Sequence, residues 1–308
     1  MDVSEWVGRI RAGDSRALAR ALTAIEGRAA QADQLLRALF PFSGKARRIG
    51  ITGAPGAGKS TLVDRLVAEY RKRGQSVAVV AIDPTSPYTG GAVLGDRVRM
   101  QSHHADAGVY IRSMASRGAL GGLAPTTADV TLALEAAGRD VILVETVGVG
   151  QAEVDVVKLA PLVVVVLTPS MGDDIQTIKA GIMEIADVFV INKADHPGAG
   201  RIEEQLRAMI SLSNGVDAGP AIVRTVAVEG AGVAELIGML DSRSHSTGRE
   251  VRSWNERISL LLRQRLVERV MQGGLSAERL ESAARAVAEG KLNPYEFVDQ
   301  VIAESGIR

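Results

Sequence analysis

The chain has 308 residues, 46% of them hydrophobic and 23% charged, with 36 basic side chains balanced by 36 acidic ones. That composition suits one large globular domain with appended elements, and it argues against disorder and against a global electrostatic attraction to nucleic acid or an anionic membrane. With no cysteine, disulfide scaffolds, thiolate metal sites and cysteine nucleophiles are excluded together. The opening MDVSEWVGRIRAGD is amphipathic and unlike an export signal, and the longest apolar run, LVVVVL from Leu162, is far short of the ~20 residues of a membrane span. A soluble, cytoplasmic chain is expected.

Residues 1–45 carry leucines at helical spacing (Leu18, Leu22, Ile25; Leu35, Leu36, Leu39) and predict a head of two or three short helices. Beyond Lys45 the pattern becomes short β-branched runs: RIGIT (48–52), SVAVVAID (76–83), VYIRSM (109–114), VILVET (141–146), LVVVVLTP (162–169), VFVINKAD (188–195) and AIVRTVAV (221–228). Most are apolar without alternation, as strands covered on both faces are, and amphipathic segments fall between most of them. The expectation is an α/β fold, a doubly wound and mostly parallel sheet over residues 46–245. Residues 246–308 turn helical again, with one long helix and two shorter ones capped by Ser276 and Asn293. The apolar stripe of the long helix (Leu260, Leu261, Leu262, Leu266, Val267, Val270) fits either a core or a dimer seam.

The strongest local signal is GAPGAGKS, Gly53 to Ser60, between the strand RIGIT and the helix that begins KSTLVDRL. Gly53, Gly56 and Gly58 allow positive φ, so the backbone from Gly53 through Ala54, Pro55, Gly56, Ala57 and Gly58 can turn N–H groups toward one centre. The helix starting at Lys59, Ser60 and Thr61 adds its positive end there. Lys59 supplies a point charge for β- and γ-phosphates and Ser60 a hydroxyl for Mg²⁺, the arrangement of a phosphate-binding loop. Three carboxylates fall where a parallel sheet would deliver metal ligands: Asp83 and Glu145 at strand ends, and Asp96 in the connection between. Glu145 with Gly148 is similar to an Asp-x-x-Gly element in which the glycine N–H meets the γ-phosphate. His103 and His104 read as surface or packing residues, and the RKR run from Arg71 as a solvated helix end.

The strand VFVIN leads into NKAD. Asp195 can accept from guanine N1–H and its 2-amino group, Asn192 can hold the acceptor edge, and the stem of Lys193 can lie over the ring, a set that rejects adenine. Ala227 and Val228, in TVAVEGAG, offer backbone N–H groups for guanine O6. GTP and GDP are therefore the expected ligands, with hydrolysis by positioning and charge stabilisation. No glutamine directly follows Gly148; Gln151 is either the group that aligns water or the start of a helix.

Taken together, GAPGAGKST, AIDPTSPYTGGAVLGDRVRM, VILVETVGVGQAEVDV, TPSMGDDIQTIKAGIMEIAD and NKAD resemble the MeaB/ArgK/MMAA family over nearly the whole chain. The resemblance implies a Mg²⁺-dependent GTPase that chaperones adenosylcobalamin-dependent methylmalonyl-CoA mutase, or a related acyl-CoA mutase, gating cofactor loading and protecting the enzyme. It further implies homodimers formed through the C-terminal helices, and matches Lys59, Ser60, Asp83, Asp96, Glu145, Gly148, Asn192, Lys193 and Asp195 to nucleotide and metal positions. It also makes Ser170 to Lys179 a third switch with Asp173, Gln176 and Lys179 as its polar positions, though the same spacing fits a solvated helix start. A partner that completes the site is expected to stimulate slow intrinsic turnover. Two rivals compete with this reading, the first of which shares the architecture. A nickel-insertion GTPase is disfavoured by zero cysteines and four histidines, and a transport-linked kinase of ArgK type by NKAD.

Overall fold

The computed structural model describes residues 2–83, 103, 105–115, 125–146, 152–169, 184–214, 219–243, 247–272 and 275–305. Residues 1–250 and 251–308 form two compact units.

In the first unit the β-branched runs become seven strands, β1 (Arg47–Thr52), β2 (Val77–Asp83), β3 (Val109–Ala115), β4 (Val141–Glu145), β5 (Leu162–Leu167), β6 (Val188–Asn192) and β7 (Ala221–Thr225). They form one sheet in the order β3-β2-β4-β1-β5-β6-β7, and every pairing is parallel. The expected mostly parallel sheet is thus wholly parallel in its seven described strands. Several strands stop two or three residues before their apolar runs do. Asn192 ends β6 and Thr225 ends β7, leaving KAD and VAV as turns beyond the sheet edge.

Continuous apolarity in sequence resolves into two faces at the period of two that a pleated strand imposes. Val163, Val165 and Leu167 of β5 join one core, with Val80, Ile82, Val144 and Phe189; Val164 and Val166 join the other, with Ile49, Ile51, Val79 and Leu143. The second face is covered by α4 (Lys59–Lys72) and α8 (Val233–Ser242), through Leu62, Leu66 and Tyr70 of one and Leu236, Ile237 and Leu240 of the other.

The first face is covered in part by the helical head: α1 (Val3–Arg11), α2 (Ser15–Glu26) and α3 (Ala32–Leu39). Trp6, Ile10, Leu18, Leu22, Ile25, Leu35 and Leu39 lie in the same core as the strand residues. Trp6 is buried and satisfies its indole N–H on the Ala17 carbonyl at 2.9 Å. Asp14 caps α2 by accepting from the N–H groups of Arg16 and Ala17. At the sheet edge Arg112 of β3 donates to Glu26 and Thr23 of α2. Burial opposes the charge on Arg112, yet the Glu26 carboxylate outweighs it and the guanidinium's pKa is raised. The same face is completed by α5 (Pro125–Ala136) and, through Ala199, Ile202 and Leu206, by α7 (Ala199–Asn214), with a short α6 (Ala152–Asp155) ahead of β5.

The helix α9 (Thr247–Gln272) leads into the second unit, which also holds α10 (Ala277–Ala288) and α11 (Pro294–Glu304). The expected caps are in place: Ser276 Oγ accepts from Arg279 N–H at 3.1 Å, and Asn293 Oδ1 accepts from Tyr295 N–H at 3.0 Å. Among the described residues no helix is long and apolar enough to cross a membrane.

Candidate nucleotide site

The carboxyl ends of β1, β4 and β6 meet at one edge of the sheet, where open α/β sheets bind their ligands. Register sets the depth of each group. Glu145 lies level with Ile51 of β1 and Ala81 of β2, and Asn192 lies level with Thr225. Thr146 follows Glu145 and donates to Thr52 Oγ1 at 3.0 Å, so two buried threonines pin the ends of β1 and β4 together directly before the glycine loop.

Beyond Thr52 the loop takes the conformation its glycines permit. Gly53, Gly56 and Gly58 have φ of 135°, 76° and 88°. At two of them the lack of a side chain is also a matter of space. A Cβ on Gly53 would lie 2.2 Å from the Val166 carbonyl oxygen, and one on Gly58 would lie 2.3 Å from Asn192 Nδ2. Gly58 is the N-cap of α4, so Lys59 and Ser60 stand in its first turn. The Lys59 ammonium is buried and donates to the carbonyls of Gly53 at 2.7 Å and Ala54 at 3.0 Å, which keeps its charge against the loop.

Ser60 Oγ donates to Glu145 Oε1 at 2.7 Å, and both side chains are buried. A hydroxyl and a carboxylate in contact beside an anion-binding loop are hard oxygen donors, the chemistry Mg²⁺ takes while keeping several waters, so the donor set fits that ion. Asp83 closes β2 at the same sheet edge, level with Ala115. Asp96, His104, Gly148, Gln151, Asp173, Gln176 and Lys179 lie outside the described residues.

The NKAD element divides its labour. Asn192 is buried and acts as a staple: Nδ2 donates to the Ala57 carbonyl at 2.9 Å, while Oδ1 accepts from Thr225 Oγ1 and from Ala227 N–H, both at 3.1 Å. Lys193 has a left-handed φ of 56°, and its ammonium reaches the Gly56 carbonyl at 3.1 Å. Asp195 is 51% exposed, with His196 Nε2 at 3.7 Å. The Ala227 N–H, expected for a base oxygen, is therefore engaged by Asn192 in this arrangement, whereas Val228 is 67% exposed.

Three contacts of α4 were not legible as motifs. Arg65 of α4 reaches the carbonyls of Ala227 and Val228. Arg71, expected as a solvated helix end, instead grips Asp106 with Nε at 2.8 Å and Nη2 at 2.9 Å. His103 Nε2 lies 3.0 Å from Asp64 Oδ1, a packing role on the same helix. The Arg71 hydrogen bonds, with that from Gly108 N–H, hold the Asp106 carboxyl below its ordinary range.

Comparison with known proteins gives the family. The family model described as methylmalonyl Co-A mutase-associated GTPase MeaB matches residues 18–279. A Pyrococcus abyssi protein carrying a GTPase name is 45% identical over 317 residues, spanning 98% of this chain and 96% of its own. GTPase ArgK of Escherichia coli is 43% identical over 197 residues, 63% of this chain and 60% of its own. The crystal structure of a protein named LAO/AO transport system kinase superposes with a TM-score of 0.68 at 29% identity, covering 97% of this chain and 96% of that one. A glycine loop stapled to a guanine-type motif on a parallel sheet is what a GTP hydrolase requires, and the chain belongs to the methylmalonyl-CoA mutase-associated GTPase (MeaB) family.

Proposed function

We propose that this GTPase chaperones an adenosylcobalamin-dependent acyl-CoA mutase of the methylmalonyl-CoA type, coupling nucleotide state to cofactor loading and protection of the mutase. The observation that carries the reading is the family match over residues 18–279, whose description names the mutase. In this reading residues 1–45 brace the sheet, 46–245 bind and hydrolyse GTP in the cytoplasm, and 246–308 pair two copies. Support for the pairing comes from the second unit, where Leu266, Val267, Met271, Leu280, Val298 and Ile302 line an apolar groove of about 740 Å³.

Phosphoryl transfer asks the protein mainly for position and charge. The loop amides from Gly53 to Gly58, with Thr61 in the first turn of α4, cradle the phosphates. Lys59 exchanges its two carbonyl partners for β- and γ-phosphate oxygens and stabilises the charge that develops on them. Ser60, Glu145, Asp83 and Asp96 would hold Mg²⁺, which when bound neutralises the phosphate oxygens and fixes their orientation. Gly148 meets the γ-phosphate, and Lys179 stands among the groups a docked partner would bring to it. Asp195 selects guanine, with Asn192, Lys193, Ala227 and Val228 forming the rest of the base site. The kinase reading suggested by the name of the structural relative is the alternative, and NKAD weighs against it.

Phosphate release from GTP and ATP, with and without a B12-dependent mutase, tests the proposal, together with co-purification under GDP and a non-hydrolysable GTP analogue. The expected result is mutase-stimulated release from GTP alone and nucleotide-dependent capture. Release indifferent to the mutase, together with no capture of the mutase under either nucleotide, would overturn it.

A further inference from the structure

We propose that Arg65 is a positioning residue for guanine selectivity, acting through the turn that follows β7. The inference rests on the reading of Asn192 to Asp195 as the base site. That turn runs from Val226 to Gly232 and is tightly built: Gly230 and Gly232 have φ of 80° and 77°, and a Cβ on Gly232 would lie 2.0 Å from the Arg224 carbonyl oxygen. Val226 N–H donates to the Ala231 carbonyl and closes the turn on itself.

The turn is then held from two sides. From β6, Asn192 Oδ1 accepts the Ala227 N–H at 3.1 Å. From α4, the Arg65 guanidinium spans two successive carbonyls, Nε donating to Ala227 at 3.1 Å and Nη2 to Val228 at 2.6 Å. A planar fork holds such a two-point bridge in one fixed geometry, whereas a rotatable ammonium on a flexible stem does not fix the two carbonyls relative to each other. Arg65 lies on the helix whose first turn carries Lys59 and Ser60, so the bridge fixes the base turn relative to the phosphate loop. On the base-site reading the exposed Val228 carries the N–H that would meet the 6-oxo group of a purine, the Ala227 N–H being held by Asn192, whereas Asp195 would read the N1 and 2-amino edge. Loss of the bridge therefore falls on recognition at position 6.

The test compares GDP, IDP and the diphosphate of 2,6-diaminopurine riboside on the full chain. Arg65→Ala should weaken GDP and IDP alike, about tenfold, as the loss of a charge-assisted hydrogen bond would. It should leave the 6-amino ligand nearly as it was, so the 6-oxo preference collapses. The KM for GTP should rise about tenfold while kcat moves less than ~3-fold, the pattern of lost uniform binding. Arg65→Lys, which keeps the charge without the fork, should recover no more than part of the preference. An unchanged preference in Arg65→Ala, full recovery in Arg65→Lys, or equal loss for all three ligands with kcat falling alike would overturn the inference. Asp195→Asn separates this from the underlying reading. If that variant keeps GDP and gains no xanthosine diphosphate, the base site itself is misread; if it switches while Arg65→Ala does not shift preference, the role of Arg65 alone fails.

Discussion

Gly58→Ala is the sharpest perturbation this structure offers, because one added carbon challenges the phosphate loop and the base site together. The first cost is conformational. At φ of 88° a non-glycine residue loses ~1–2 kcal/mol. The second is steric, since the new Cβ would stand 2.3 Å from Asn192 Nδ2. Asn192 is 2% exposed and cannot swing aside without losing its bonds to Ala57, Thr225 and Ala227. Buried hydrogen bonds of this kind contribute ~1 kcal/mol each, so displacing the staple adds ~2 kcal/mol or more. The sum is about 3 kcal/mol, or ~100-fold in nucleotide affinity. Gly56→Ala is the internal control: its φ is 76°, nothing lies within 4 Å of the added carbon, and only the conformational cost applies. Titration with a fluorescent GDP analogue should thus rank wild type, Gly56→Ala and Gly58→Ala in that order, the last two separated by at least ~10-fold. In an Asn192→Ala background the separation should close, because the atom being struck is gone. Equal losses in the two glycine variants, or a separation that persists without Asn192, would refute the steric coupling.

Three further outcomes follow from other parts of the structure. Glu145→Gln keeps an oxygen acceptor for Ser60 but removes the charge a divalent cation needs, so Mg²⁺-dependent hydrolysis should fall ~10²-fold or more while metal-free GDP binding changes little; unaltered hydrolysis would remove Glu145 from the metal site. Leu22→Ala empties a fully buried position between the head and the sheet and should cost ~2–5 kcal/mol in urea unfolding, in a single transition shared with the sheet. A separate low-urea transition for the head would contradict that shared core. Glu203 on α7 is held by Arg207 and by Arg224 of β7, which push its carboxyl below the ordinary value. A lowered folded pKa means the contribution is complete above about pH 4.3 and is lost as pH falls through the folded value. Both arginines are more than half exposed, so Glu203→Gln should reduce stability by no more than ~1 kcal/mol at pH 7, a gap that closes in acid; a gap that widens in acid would reverse the assigned sign.

The parts of the fold visible in the sequence are those written in local periodicity and backbone chemistry. Unbroken β-branched runs marked covered strands, glycines marked positive φ, and Ser276 and Asn293 marked helix starts, because each of these depends on residues a few positions apart. Strand ends were less legible. LTP, KAD and VAV continue the apolar or polar trend of their strands, and only the pairing partner decides where the ladder stops. The head looked like an appendage because its leucine stripe says that one face is buried and not against what; Leu22 and Val163 share a core across 141 positions. The contacts of Arg65 and Arg71 were invisible for the same reason. A charged residue on an amphipathic helix reads as solvated until a carbonyl or carboxylate from elsewhere in the chain arrives beside it.

The same contrast separates the two polar residues of NKAD, which a motif treats as equals. Asn192 spends its amide within the protein, on the phosphate loop and on the β7 turn, before any base is present. Asp195 is half exposed beside one histidine, so its acceptor atoms remain open to a ligand. Substituting Asn192 therefore removes a structural bond between two halves of the site and must loosen phosphate and purine together. Substituting Asp195, the purine-edge reader of the proposed base site, leaves the scaffold standing. Under the proposed reading, base selectivity can change at one of these positions without loss of grip on the phosphates; at the other it cannot, because Asn192 makes the glycine loop and the turn after β7 one hydrogen-bonded body.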